Sequence, residues 1–155
     1  MTEVETKSAS SASQARYSLW LTGPNTFLSN TVDAIAAKTS MRAFRAHITL
    51  SSVEGEAKAA LADAQKAATA AAESGFFTVM LQKVETGSAW NMCVFARAEL
   101  SAELKAMRAA AKATGDYTPH VSLAYKLTDA EQRQQIAREQ SWLVGQRARV
   151  ERVEV

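Results

Sequence analysis

The sequence predicts an α+β fold in which two copies of one unit, related by a pseudo-twofold axis, face each other across a cleft. Three observations lead there. Apolar patterns of period two and of period 3.6 alternate along the 155 residues, so short strands and helices are interleaved. The order strand, helix, strand, with a histidine opening the second strand, occurs twice: 27 residues separate Trp20 from His47, and 26 separate Val94 from His120. The length suits one domain with a real core rather than two of ordinary size, so both copies belong to a single unit, expected over residues 17–155.

The elements follow in order. Residues 1–16 hold Ser, Ala, Thr and Glu with almost no large apolar side chain, and are expected to form a disordered tail. Tyr17 to Thr22 reads as a strand stopped by Gly23 and Pro24. Leu28, Val32 and Ile35, widened by Phe27, recur at helical spacing to about Lys38. His47 to Val53 alternates, with His47, Thr49 and Ser51 on one face and Ile48 and Leu50 on the other, the pattern of a strand. Ala57, Ala60, Leu61, Ala64, Ala68 and Ala71 make a thin helical stripe that Ser74 and Gly75 would end as a C-cap. Thr78 to Glu85 and Asn91 to Ala98 are β-prone runs on either side of Thr86, Gly87 and Ser88, the pattern of a hairpin. A helix from Ser101 to Ala113 turns Leu104, Met107 and Ala111 inward and is stopped by Gly115. His120 to Tyr125 is the next strand. Thr128 and Glu131 form a capping box for a helix to about Gln140, and Gln146 to Val155 is a single closing strand.

Composition narrows the possible functions. Hydrophobic residues make up 47% and charged residues 22% of the chain, the balance of a folded protein rather than a disordered or fibrous one. A net charge of only +2 argues against a long polyanion groove and leaves a small phosphorylated ligand compatible. The lone cysteine, Cys93, has no partner for an intramolecular disulfide and lies in the apolar run Met92 to Phe95, where it reads as packing. No run reaches the ~18 apolar residues of a membrane span, and the N-terminus lacks the basic and apolar regions of a secretory signal. A cytoplasmic, reducing location, no membrane partner and a monomer are therefore expected.

Both histidines open the same tetrapeptide, His47-Ile48-Thr49-Leu50 and His120-Val121-Ser122-Leu123. With 13 Thr and 14 Ser in the chain, both would have a hydroxyl two places on in about 3 of 100 shuffled sequences. Residues i and i+2 of a strand share a face, so each imidazole is placed beside one hydroxyl. Hydrolysis of a phosphodiester needs a base to take a proton from water and an acid to protonate the leaving oxygen, and imidazole suits either role near neutral pH. Thr49 and Ser122 would donate to the phosphate oxygens as negative charge builds. Two structural histidines, or a module that binds without cleaving, remain as alternatives. Two histidines with no third ligand nearby in sequence give no metal spacing, so no cofactor is expected.

This arrangement resembles the two-histidine phosphoesterase superfamily, whose signature is a pair of His-x-Thr/Ser-x motifs on facing strands of a bilobal α+β fold. The resemblance implies two antiparallel-sheet lobes with helices outside and the active cleft between. It narrows to the plant-type cyclic phosphodiesterase branch on Tyr17-Ser18-Leu19-Trp20, on Thr86-Gly87 with Trp90 and Cys93-Val94-Phe95, and on Thr118-Pro119 before the second motif with Ala124-Tyr125 after it. By that likeness the chain would be a metal-independent hydrolase opening ADP-ribose 1″,2″-cyclic phosphate and nucleoside 2′,3′-cyclic phosphates, in the setting of RNA processing such as tRNA splicing. RNA 3′ ends would be a further partner, and an oligonucleotide 2′,5′-phosphodiesterase the related alternative. Trp20, Trp90 and Tyr125 would contact base or ribose, although strict alternation puts Tyr125 opposite His120 unless the strand ends there. The family continues into one more pairing strand than the single closing strand expected here.

Overall fold

The computed structural model describes residues 15–73, 75 and 77–155; most of the expected tail, residues 1–14, and the Ser74 part of the second helix's cap lie outside them. The elements run β1 (Arg16–Thr22), α1 (Thr26–Thr39), β2 (Ile48–Glu54), α2 (Ala57–Glu73), β3 (Phe77–Thr86), β4 (Val94–Ala98), α3 (Ala102–Ala110), β5 (His120–Ala124), α4 (Ala130–Glu139), a 3-10 turn (Ser141–Leu143), β6 (Arg147–Val150) and β7 (Arg152–Glu154). Ala15 and Arg16 belong to the fold and not to a tail. The Ala15 carbonyl accepts from Gly55 N–H at 3.0 Å, and Arg16 pairs with Glu54 both in the ladder and through its guanidinium.

All pairings are antiparallel, in the order β6-β3-β4-β5-β2-β1-β7. Instead of two separate sheets there is one, whose four-strand and three-strand parts meet through a single registered pair, Ile48 with Val121. Alternation supplies the reason these segments are strands. In β2 the apolar Ile48 and Leu50 are buried while Thr49 and Ser51 on the other face are half-buried. Helix packing is reciprocal between the parts. α1 follows β1 but lies against β5, and α3 follows β4 but lies against β2. α2 covers β1 and β7, and α4 covers β3 and β4. Leu19, Leu50, Leu81, Leu104, Met107 and Leu123 form the fully buried centre of the core between them.

The expected single closing strand is two strands, which corrects the sequence reading and supplies the additional strand that it found missing. β6 pairs with β3 and β7 with β1, at opposite edges of the sheet, so the segment draws the sheet into a nearly closed barrel. The break comes at Glu151, whose N–H bonds the Thr22 carbonyl at 2.9 Å. Phase explains it: the inward residues Ala148 and Val150 are followed by the half-buried Val153, not by residue 152, a one-residue slip that moves the chain from one edge to the other. The Asn25 side chain fastens the closure, donating to the Arg149 carbonyl at 2.9 Å and accepting from its N–H at 2.7 Å.

Several boundaries move for local reasons. α3 stops at Ala110 rather than Ala113, because Lys112 takes a positive φ of 56° and ends the helix before Gly115 is reached. The N-cap of α4 is Asp129 and not Thr128, its carboxylate accepting from Glu131 and Gln132 N–H at 2.9 and 3.3 Å. Residues 91–93 belong to the β3–β4 turn rather than to a strand, although Cys93 is buried as expected. In α2 the buried stripe is Ala60, Ala64 and Ala67, and Leu61 is 59% exposed, so the inward face lies one position away from Leu61 and Ala68.

Gly23 is the residue that lets the turn after β1 approach β6. A Cβ there would stand 2.4 Å from the Arg149 carbonyl oxygen, a clash with backbone that no rotamer can relieve. Gly23→Ala is expected to lower the unfolding free energy by about 1–3 kcal/mol, read as a lower urea midpoint with an unchanged slope.

Candidate active site

The Ile48–Val121 pair fixes the relation of the two motifs. Both residues are buried, at 3% and 1% exposure, so the flanking residues of both motifs turn to the other face. Continued by one residue each way, the antiparallel register sets His47 across from Ser122 and Thr49 across from His120. The four side chains occupy the corners of one patch, and the two histidines are diagonal neighbours, about 7–8 Å apart at the backbone. Residues encoded 73 positions apart thus reach a common face, on a scale that suits a single phosphate between them.

Each ring is held in the same way. His47 Nδ1 lies 2.8 Å from the Arg45 carbonyl and His120 Nδ1 lies 2.9 Å from the Thr118 carbonyl, in both cases two residues back. A carbonyl only accepts, so each Nδ1 carries the proton and donates it, leaving Nε2 as the nitrogen free to exchange protons. Each ring also meets an aromatic from the neighbouring strand. Trp20 stacks on His47 with centroids 3.7 Å apart and planes 11° from parallel. Phe95 meets His120 at 5.4 Å and 68°, an edge contact. Trp20 is registered with Thr49 and Phe95 with Ser122, so the two aromatics hold corresponding places.

The hydroxyls are not alike. No hydrogen bond within the described residues engages the Thr49 hydroxyl, whereas Ser122 Oγ donates to the Asn91 carbonyl at 2.7 Å and is 6% exposed. Ser122 can give its proton to a ligand only by leaving Asn91. The Thr49 backbone is itself secured, its carbonyl accepting from the Tyr117 hydroxyl at 2.8 Å. Tyr117 in turn lies under the Arg108 guanidinium, 4.1 Å from its centroid.

Over residues 24–155, both motifs included, the sequence matches the 2′-5′ RNA ligase superfamily. The chain belongs to that superfamily. A comparison with curated proteins finds no match. Membership in this group of two-histidine phosphoesterases agrees with the mixed architecture and the nearly closed antiparallel sheet, and it fits an enzyme acting on phosphodiesters.

The remaining aromatics expected at the site fall into two groups. Trp20 spends one indole face on His47, so it positions the imidazole rather than offering an open platform there. Tyr125, Trp90 and Phe44 make the second group: Tyr125 stacks on Phe44 at 4.1 Å and meets Trp90 at 5.7 Å. Trp90 is 63% exposed, which leaves ring surface free for a base. β5 ends at Ala124, which releases Tyr125 from strict alternation. Neither Phe44 nor Phe95 is a site residue in the sequence reading, where Phe95 enters only as an anchor of the family resemblance. For Phe95 the repeat held the signal, since it precedes His120 by 25 residues as Trp20 precedes His47 by 27. Phe44 sits in an irregular segment where no period applies. Among the described residues, no three His, Cys, Asp or Glu side chains are gathered as a metal ligand set. Likewise, no helix of the described residues is long and apolar enough to cross a membrane.

Burial against Trp20 pushes the His47 pKa below its ordinary value of 6.5. The Arg45 carbonyl bond acts in the opposite direction, the charges of His120 and Arg45 lower the pKa further, and Glu154 raises it. Between the lowered value and 6.5 the unfolded chain binds a proton that the folded chain does not, so this group costs stability as pH falls through that window. Burial likewise raises the Tyr117 pKa. Trp20→Ala is expected to hydrate His47 and move its titration up toward 6.5, seen as a later acidic transition of its ring protons by NMR. An unmoved transition would mean that the indole is not what excludes water.

Proposed function

We propose that the chain is a metal-independent cyclic phosphodiesterase that hydrolyses small cyclic phosphates to monophosphates. Nucleoside 2′,3′-cyclic phosphates and ADP-ribose 1″,2″-cyclic phosphate are the substrate classes, as the resemblance to the plant-type branch implies. The observation that carries the reading is the matched pair of Nδ1-anchored imidazoles on adjoining strands, because it supplies two proton-transfer nitrogens across one small face. The open aromatic surface of Trp90 and Tyr125 supports a nucleoside beside them.

We take His47 as the base, on the support of its burial. His47 is 8% exposed and its burial favours the neutral ring, so its Nε2 takes a proton from the attacking water. In the same step His120 takes the acid's part, its Nε2 passing a proton to the ribose oxygen that leaves. One P–O bond forms to water, one breaks, and the net addition is a single water molecule. Both Nδ1 protons stay on their rings, donated to the Arg45 and Thr118 carbonyls, throughout. Thr49 donates to a phosphate oxygen directly, and Ser122 does so on release from Asn91.

Turnover of a 2′,3′-cyclic nucleotide with chelator present tests the reading. His47→Ala and His120→Ala are each expected to lower kcat by about 10²–10⁴, and wild-type rates in both would overturn it. Tight binding of an uncleaved cyclic nucleotide with no product would instead make the chain a binding module. The acidic limb of the wild-type kcat/KM profile is expected below pH 6.5, the side on which His47 gains its proton.

A further inference from the structure

The register between β1 and β2 steps by one residue inside the first motif. Leu19 pairs with Ser51 and Trp20 with Thr49, so Leu50 has no partner on β1 and forms a bulge directly after Thr49. A bulge bends its strand and re-aims the neighbouring side chains, and it leaves main-chain groups to be satisfied from elsewhere. Here two side chains from outside the sheet take the carbonyls. The Tyr117 hydroxyl donates to Thr49 at 2.8 Å, and Arg108 Nη1 donates to Leu50 at 2.9 Å. Arg108 stands in the last turn of α3, and Tyr117 in the irregular segment that leads into β5.

The same two residues hold that segment. Arg108 Nη2 lies 3.2 Å from the carbonyls of both Thr114 and Gly115, and its guanidinium covers the Tyr117 ring. The next residue, Thr118, supplies the carbonyl that accepts from His120 Nδ1. Contacts therefore run without a gap from Thr49 and Leu50, through Tyr117 and Arg108, to the anchor of the second imidazole. Burial raises the Tyr117 pKa, so its hydroxyl remains a donor near neutral pH, and the guanidinium remains charged.

The link matters because β2 and β5 share the single registered pair of Ile48 and Val121. One pair is a pivot. Turning the strands about it would change the distance between two rings that stand diagonally across it, and a second attachment to one side of the pivot removes that freedom. We propose that Tyr117 and Arg108 are positioning residues that fix the spacing of the His47 and His120 imidazoles, by tying the Leu50 bulge to the segment that anchors His120. The inference rests on the phosphodiesterase reading. In this role neither side chain needs to touch the substrate, since both act through the backbone of Thr49, Leu50 and Thr118.

Tyr117→Phe removes the hydroxyl and keeps the ring under Arg108, whereas Arg108→Lys keeps the charge and loses the planar fork that serves three carbonyls. Each variant is expected to lower kcat for a 2′,3′-cyclic nucleotide by about tenfold with KM within about twofold, because proton transfer is more sensitive than binding to a displaced ring. In the His120→Ala background no pair of rings is left to space, and Tyr117→Phe is expected to cost less than about twofold there. A general loss of folded protein would lower the rate in both backgrounds alike. Unchanged kcat in both variants, or the same loss in both backgrounds, overturns the proposal. NMR of the imidazole nitrogens needs no turnover and keeps the two readings apart. In Tyr117→Phe the Nδ1 proton of His120 is expected to exchange with water at least about tenfold faster than in the wild-type chain, as the Thr118 segment opens more often. If the wild-type chain cleaves no cyclic ester, the catalytic reading fails, and faster exchange still marks Tyr117 as the residue that positions His120. Unchanged exchange rejects it.

Discussion

The junction between β2 and β5 is where the two sequence motifs become one site. Only Ile48 and Val121 are registered across it, and both are driven inward by the apolar core that α1 completes against β5 and α3 against β2. Because side chains alternate along a strand, burying these two residues in the core turns His47, Thr49, His120 and Ser122 together onto the opposite face of the sheet. A slip of one residue at this place would turn the imidazoles into the apolar core and the aliphatics onto the site face, and so the hydrophobic effect that sets the register also sets the chemistry.

Much of this could be read from the chain. The paired His-aliphatic-hydroxyl-Leu motifs, the alternation through β2 and the helical stripe of Leu28, Val32 and Ile35 are local patterns, and the structure keeps them. What escaped notice depends on partners far away in sequence. The two-strand ending follows from a slip of phase at Glu151 that makes sense only once β1 and β3 are seen to stand at opposite edges of the sheet. The bond from Ser122 to the Asn91 carbonyl joins residues 31 apart, and no period reports it. Phe44 reaches Tyr125 from a segment without regular structure. Where α4 begins is a lesser case: Thr128 and Asp129 are both good caps, and the carboxylate prevailed.

Near-identical motifs have been given unlike surroundings. The same i−2 carbonyl bond holds each imidazole, yet one ring lies flat against an indole and the other meets only the edge of a phenyl group. One hydroxyl is unengaged and the other is tied to a turn. A duplicated scaffold placed in two environments can thus give one residue type two different settings without changing the motif.

The free end of β3 has a further consequence. β6 accompanies β3 only from Phe77 to Met80, so beyond Leu81 no strand among the described residues pairs with the outer edge of β3, and its amide and carbonyl groups could template an intruding chain. Gln82, Lys83 and Glu85 stand on that stretch, and charged side chains on an open edge oppose the addition of another strand. Replacing them with β-branched apolar residues would trade solubility for fibre-like self-association, even if the core and the histidine face were left untouched.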